Sequence, residues 1–186
     1  MRRMMTSIAV VAVLVGGSMA AVAAGASEDA TTTPAIAGYG KISAVPHAAY
    51  KPDPHQSYKV VFALTTAAKT PDEVSPSLER VARAVNLYVS SGVPLSHLKF
   101  VGVAYGAATP LALNDAQYQA AYGMPNPNLK LIASLRKAGV DIAVCGQAVA
   151  EHKYQFDWVD STVTLALSAL TTITTLEHQG YSLMPL

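Results

Sequence analysis

The chain offers one cysteine, five histidines and a few short polar turns as carriers of chemistry. Cys145 is the most informative. It ends an apolar run (Asp141 to Val144, DIAV) and is followed by Gly146 and Gln147. A helix starting at Gly146 or Gln147 would aim free N–H groups at the sulfur and favour thiolate over thiol. Thiolate is the nucleophile of sulfur transfer and of disulfide exchange. The same residue also reads as a buried core cysteine, because free cysteine is among the most buried residue types.

A thiol at a strand end does chemistry only if other elements bring partners to it. Lys59 to Leu64 (KVVFAL) and Lys99 to Ala104 (KFVGVA) are short, apolar and β-branched, as buried parallel strands are. Between them Leu78, Val81, Ala82, Val85, Tyr88 and Val89 form one helical stripe, with Ser75 as its cap, Pro76 in its first turn and Gly92 as its stop. A second helical stretch covers about Asn114 to Tyr122. A third is capped by Asn128 and stopped by Gly139. Beyond Cys145, Ala148 to Asp160 reads as irregular or helical, and Val163 to Leu167 as a fourth strand. Ser168 to Gln179 reads as a helix with Ala169, Leu170, Ile173 and Leu176 inward, and Tyr181 to Met184 as a last strand. One long helix from Val159 to His178 is the alternative for this last third.

Strands alternating with helices imply a parallel sheet covered on both faces. Ligands then meet the carboxyl ends of the strands. Those ends carry Thr65-Thr66, Tyr105-Gly106 and Cys145-Gly146-Gln147. Thr65, Tyr105, Gly106, Gly146 and Gln147 are therefore the candidate ligand-binding residues around Cys145. There is no G-x-G-x-x-G and no G-x-x-x-x-G-K, so no motif calls for a nucleotide.

The histidines have bland readings. His47 and His55 fall in an irregular arm, His97 precedes a strand, and His178 lies near a helix C-terminus, where a cation is favoured. His152 is close enough in sequence to reach Cys145 but also suits a surface. No pair has metal-ligand spacing, so neither a metal nor another cofactor is expected. Glu79 and Arg83, four apart, read as an ordinary helix ion pair.

Composition excludes several classes. Of 186 residues, 51% are hydrophobic and 13% charged, which is neither a disordered chain nor a coiled coil. The net charge of +1 leaves no electrostatic footprint for nucleic acid. A single cysteine excludes an internal disulfide and a four-thiolate metal site.

The first residues read as a leader. Arg2 and Arg3 precede the apolar Ile8 to Val15, and Ala21-Val22-Ala23 and Ala24-Gly25-Ala26 both fit a small-x-small cleavage site. Residues 1–26 are thus expected to be a signal peptide, and the mature protein periplasmic or secreted, with no stable membrane span after cleavage. An uncleaved anchor is the alternative, but Glu28 and Asp29 follow the apolar run instead of a basic cluster. Residues 27–57 hold Pro34, Pro46, Pro52 and Pro54 and little periodicity. They read as an irregular arm, either a plain linker or a segment laid on the domain through Ile36, Tyr39, Ile42 and Val45. Residues 58–186 form the α/β domain.

Several segments together carry a family resemblance: Tyr58-Lys59-Val60-Val61-Phe62, Leu78 to Tyr88 (LERVARAVNLY), Asn126-Pro127-Asn128-Leu129, Val144-Cys145-Gly146-Gln147-Ala148, and Ala166 to Tyr181. In that order the chain resembles the DsrE/DsrF-like family, from about Gly38 onward, and most of all its exported members. The resemblance implies a three-layer α/β/α fold with a mainly parallel sheet of about five strands. It also implies homo-oligomers, often trimers or hexamers, and a cysteine at the place of Cys145 that carries sulfur as a persulfide to a thiol on a relay partner. Exported relatives often have His-Gly after the second strand. This chain has Tyr105-Gly106, so no acid–base histidine carries over, and Tyr105 offers only a phenolic donor. Three readings follow: a sulfur carrier using Cys145, an oligomeric small-ligand or protein-binding module with a structural cysteine, and a redox protein whose cysteine pairs with another chain. Whether there is turnover stays open.

Overall fold

A computed structural model describes residues 31–186. The expected leader lies outside the described residues, which fold as strands and helices in alternation. β1 (Thr31–Thr32) and β2 (Ile42–Ser43) pair antiparallel within the arm. The main sheet contains β3 (Tyr58–Leu64), β4 (Leu98–Ala104), β5 (Asp141–Cys145), β6 (Thr164–Ala166) and β7 (Ser182–Pro185). Its order is β6-β5-β4-β3-β7, and every pairing is parallel.

That order dictates the layers. From β3 to β6 the chain moves one way across the sheet, so right-handed crossovers place α1 (Pro76–Ser90) and α3 (Leu129–Lys137) on one face. The return to β7 runs the other way, and α5 (Ala169–His178) crosses the opposite face. The result is a three-layer α/β/α fold. Alternation along the strands serves both layers. Val60, Phe62 and Leu64 of β3 join Phe100, Ile142 and the helix residues Leu78, Val81, Leu131 and Ile132 in the larger core. Val61, Val103, Cys145, Ala148 and Ala169 form a smaller core beneath α5. The shorter α2 (Asp115–Tyr122) and α4 (Gly146–Glu151) lie near strand ends, and 3-10 turns cover Leu95–His97, Gly106–Ala112 and Phe156–Trp158.

The arm lies on the domain. Ile36 and Ile42 are buried, and Ile36 enters the larger core. Asn86 of α1 fastens it. Its Oδ1 accepts from the N–H groups of Ala35 and Ile36 at 3.0 and 2.8 Å, and its Nδ2 donates to the carbonyls of Tyr39 and Gly40 at 2.9 Å each. Gly40 has φ +57, and a Cβ there would overlap the backbone of Ala82 and Arg83. Glu79 also serves the arm, accepting from the Gly40 N–H at 2.7 Å. The expected Glu79–Arg83 ion pair does not form, because that carboxylate has a buried amide to satisfy. Val45, expected inward, is exposed.

Two expected helix caps do other work. Ser75 makes no side-chain cap bond to α1, and its hydroxyl faces the Thr66 carbonyl at 3.4 Å. Asn128 does not cap α3 through its side chain. It accepts instead from the Ser75 N–H at 2.7 Å and donates to Asn126 Oδ1 at 2.9 Å. Asn126 in turn donates to the carbonyls of Leu111 and Leu113. The Asn126-Pro127-Asn128 segment is therefore a strut that joins the 3-10 turn, α1 and α3. In the last third, β6 separates α4 from α5, so the single long helix does not occur. Leu170, expected to point inward on α5, is 81% exposed. Ala169 holds the inward position at that end of the helix, and the next residue is rotated about 100° from it.

Candidate functional site

Parallel register brings the candidate residues to one end of the sheet. Ala104 pairs with Val144, so one step further Tyr105 stands beside Cys145, and Cys145 itself pairs with Ala166. The loop from β6 into α5 closes the far side. Together these elements form a cleft of about 490 Å3, lined by Tyr105, Gly106, Cys145, Gln147 and α5 residues including Ala169 and Ile173.

Cys145 is the N-cap of α4. Its extended backbone (φ −68, ψ 115) turns the side chain over the first turn, and Sγ accepts from the Ala148 N–H at 3.4 Å. The donor that reaches the sulfur is thus the Ala148 amide, rather than those of Gly146 and Gln147. The residue is 5% exposed and touches the smaller core. The sulfur therefore has an apolar floor, one backbone donor and a cleft above it.

Gly146 is not part of the cleft wall. It lies in a neighbouring hollow with Phe156, Leu165 and Leu167. A Cβ on it would stand 2.8 Å from the Ala166 carbonyl oxygen and 3.4 Å from that of Leu167. Its smallness lets α4 begin hard against the end of β6, which fixes where Cys145 points. Gln147 is exposed at the mouth, and its Nε2 approaches the Leu167 carbonyl at 3.4 Å. Gly106 takes φ +57, a left-handed turn suited to glycine, directly after Tyr105.

Thr65 is not brought to the cleft. Leu64 is level with Ala104, which puts Thr65 two strands from Cys145, a lateral distance of about 10 Å. Its hydroxyl donates to the Leu186 carbonyl at 3.1 Å and helps to hold the last described residue against β3.

His152 does not touch the sulfur. Its Nε2 lies 3.0 Å from the Gly106 carbonyl, which can only accept, so that nitrogen carries the proton. The ring also stacks on Tyr154, with centroids 5.4 Å apart. His152 is thus a brace behind the Gly106 turn. Tyr154 is pushed up to about 12 from 10.0, first by burial and then by the Tyr122 hydroxyl beside it. Nothing in the residue pattern signals this brace, because the partner of His152 is a carbonyl 46 residues away. Among the described residues, no group of three or more His, Cys, Asp or Glu side chains is placed to hold a metal ion. Among them, too, no helix is long and apolar enough to cross a membrane.

The fold and the strand-end thiol define an α/β protein with its cysteine at the carboxyl end of an interior parallel strand. The sequence profile of the DsrE/DsrF-like family matches residues 58–186, and the chain belongs to that family. Among solved structures it is similar to a protein of unknown function from Methanobacterium thermoautotrophicum. That similarity has 18% identity and a TM-score of 0.52, and covers 70% of this chain and 100% of the other. It supports the fold alone. No curated protein matches the sequence.

Proposed function

We propose that this protein is an exported sulfur carrier in which Cys145 holds sulfane sulfur as a persulfide. The observation that carries the reading is the placement of Sγ: it lines the cleft of about 490 Å3 and accepts the Ala148 amide at 3.4 Å. Family membership supports the same chemistry. In loading, the Cys145 thiolate attacks a sulfane sulfur, the donor S–S bond breaks, and its electron pair leaves on the donor's other sulfur. In unloading, a partner thiolate attacks the outer sulfur, and Cys145 leaves as thiolate. No net oxidant or reductant is consumed. The reading requires stoichiometric loading and not turnover.

Export and assembly are part of the proposal. The Arg2-Arg3 pair and the Ile8 to Val15 run support a cleaved leader and a periplasmic or secreted protein. A homo-oligomer, a trimer or hexamer, would cover apolar side chains such as Phe156 and Leu167 that a lone subunit leaves wet.

A second reading rests on the 5% exposure of Cys145: a ligand-binding module in which the thiol only fills space. Iodoacetamide alkylation of the folded protein separates the two. The carrier reading expects Cys145 to be modified with the circular dichroism spectrum intact. Modification only after addition of urea would establish the second reading.

A further inference from the structure

The walls of the cysteine cleft have a chemical bias. Ala148, Ala169, Leu170 and Ile173 supply apolar surface. The serine and threonine hydroxyls in the lining are turned back on α5 and its cap, and Tyr105 adds a neutral phenol: Ser168 Oγ accepts from the Leu170 N–H at 3.1 Å, and Thr174 Oγ1 donates to the Leu170 carbonyl at 2.8 Å. At each helix start that opens on the cleft one amide is capped from within, that of Ala148 by Cys145 Sγ on α4 and that of Leu170 by Ser168 Oγ on α5. Among the described residues, none that lines the cleft is lysine or arginine, and the ionisable carboxyl in the lining is Glu151.

We infer that the donor which loads Cys145 is an uncharged polysulfane, a chain of sulfane sulfur between apolar groups, and not a sulfur oxyanion such as thiosulfate. The inference rests on the sulfur-carrier reading and specifies its substrate class. Thiosulfate would surrender the water around its sulfonate oxygens without meeting a cation, and desolvation of an unpaired ion is costly. It would also approach a thiolate past the Glu151 carboxylate, a like charge. A dialkyl trisulfide has no charge to desolvate, and its alkyl ends would cover the exposed Leu170 and the half-buried Ile173 beside it. The steps balance as Cys–S⁻ + R–S–S–S–R → Cys–S–S–S–R + R–S⁻, after which the released R–S⁻ attacks the sulfur that bears R and gives the persulfide, Cys–S–S⁻ + R–S–S–R. In the first, the thiolate attacks the central sulfur, one S–S bond forms and one breaks, and the electron pair leaves on the alkanethiolate.

The test compares dimethyl trisulfide and thiosulfate on the folded, leaderless protein. Adduct formation at Cys145 is followed by intact mass, and each rate is divided by that of the same reagent with 2-mercaptoethanol, which removes intrinsic reactivity. The expected normalised preference for the trisulfide is about ten-fold or more, the scale of a local field on a charged ligand. Glu151→Lys should move the ratio toward thiosulfate by about three-fold, the modest effect of one exposed charge, and the gain should fade in high salt. Equal or faster normalised loading by thiosulfate, or a ratio that does not move in Glu151→Lys, would overturn the substrate assignment while leaving the carrier reading intact. Loading by neither reagent would overturn the carrier reading and this inference with it.

Discussion

Gly146 sits so close to Ala166 that a Cβ on it would stand 2.8 Å from the carbonyl oxygen. The obstacle is backbone in the edge strand β6, which cannot rotate aside like a side chain. This contact sets the start of α4 and therefore the direction of the Cys145 side chain.

Gly146→Ala should accordingly cost about 1–3 kcal/mol, as overpacking does. Urea unfolding should show a lower midpoint with an unchanged slope. The same variant should alter the rate at which Cys145 is alkylated, because α4 must shift to make room. Wild-type stability and wild-type alkylation together would mean that the contact does not position the thiol.

Asn86→Ala leaves two N–H groups and two carbonyls of the arm without their partner. Part of that cost is recovered if the arm lifts off into water, so the expected loss is about 2–3 kcal/mol. Limited trypsin digestion reads the lift-off directly. Cleavage at Lys41 and Lys51 should become faster than in the wild type, with the rest of the domain still resistant. Unchanged cleavage would show that Asn86 is not what holds the arm.

The phenol of Tyr154 is held above its ordinary range, chiefly by burial. The folded state therefore favours the protonated phenol. Its contribution to stability is fully present below pH 10.0 and is lost as pH rises from 10.0 to about 12. Absorbance at 295 nm should show a last phenol that ionises after Tyr88 and Tyr118, which burial also shifts upward, and Tyr154→Phe should remove that last step. A single titration of all the tyrosines near 10 would contradict the burial that stacks Tyr154 behind His152.

Much of this architecture is legible in the chain. The β-branched runs mark β3, β4 and β5 because strands buried on both faces need no alternation, and the stripe from Leu78 to Val89 marks α1 because its spacing matches one helical face. Cys145 is readable as a strand end because Gly146 and Gln147 break the apolar run. Contacts between side chains and distant backbone are not readable in this way. Asn86 looks like an ordinary polar residue on a helix until the arm, 46–51 residues earlier, folds over it. Ser75 and Asn128 have the composition of helix caps, yet a tertiary partner claims each of them. Leu170 fails for a different reason: hydropathy assigns it inward, whereas the helix start and the small Ala169 put it at the rim of the cleft.

That rim supports a prediction about assembly. Phe156, Leu165 and Leu167 are all exposed, and they sit around the hollow that adjoins the cleft, beside the Leu170 that faces a donor. Light scattering at micromolar concentration should report a trimer or larger, and Leu167→Glu should lower the mass by opposing burial of that surface. A monomer in the wild type would remove the claim.

Cys145→Ser should fold as the wild type does, since serine is a strong N-cap and its oxygen can accept the Ala148 amide. It supplies the control for the most direct test of the account, which is intact mass of the folded protein after prolonged incubation with a large excess of inorganic polysulfide, whose charge slows loading without preventing it, and removal of excess reagent. The account predicts a gain of about 32 mass units per sulfur atom, confined to Cys145, because the thiolate is the attacking form. The gain should be absent from Cys145→Ser, and a small thiol should discharge it. A wild-type mass that stays unchanged until the protein is unfolded would contradict the account and leave Cys145 as a core residue.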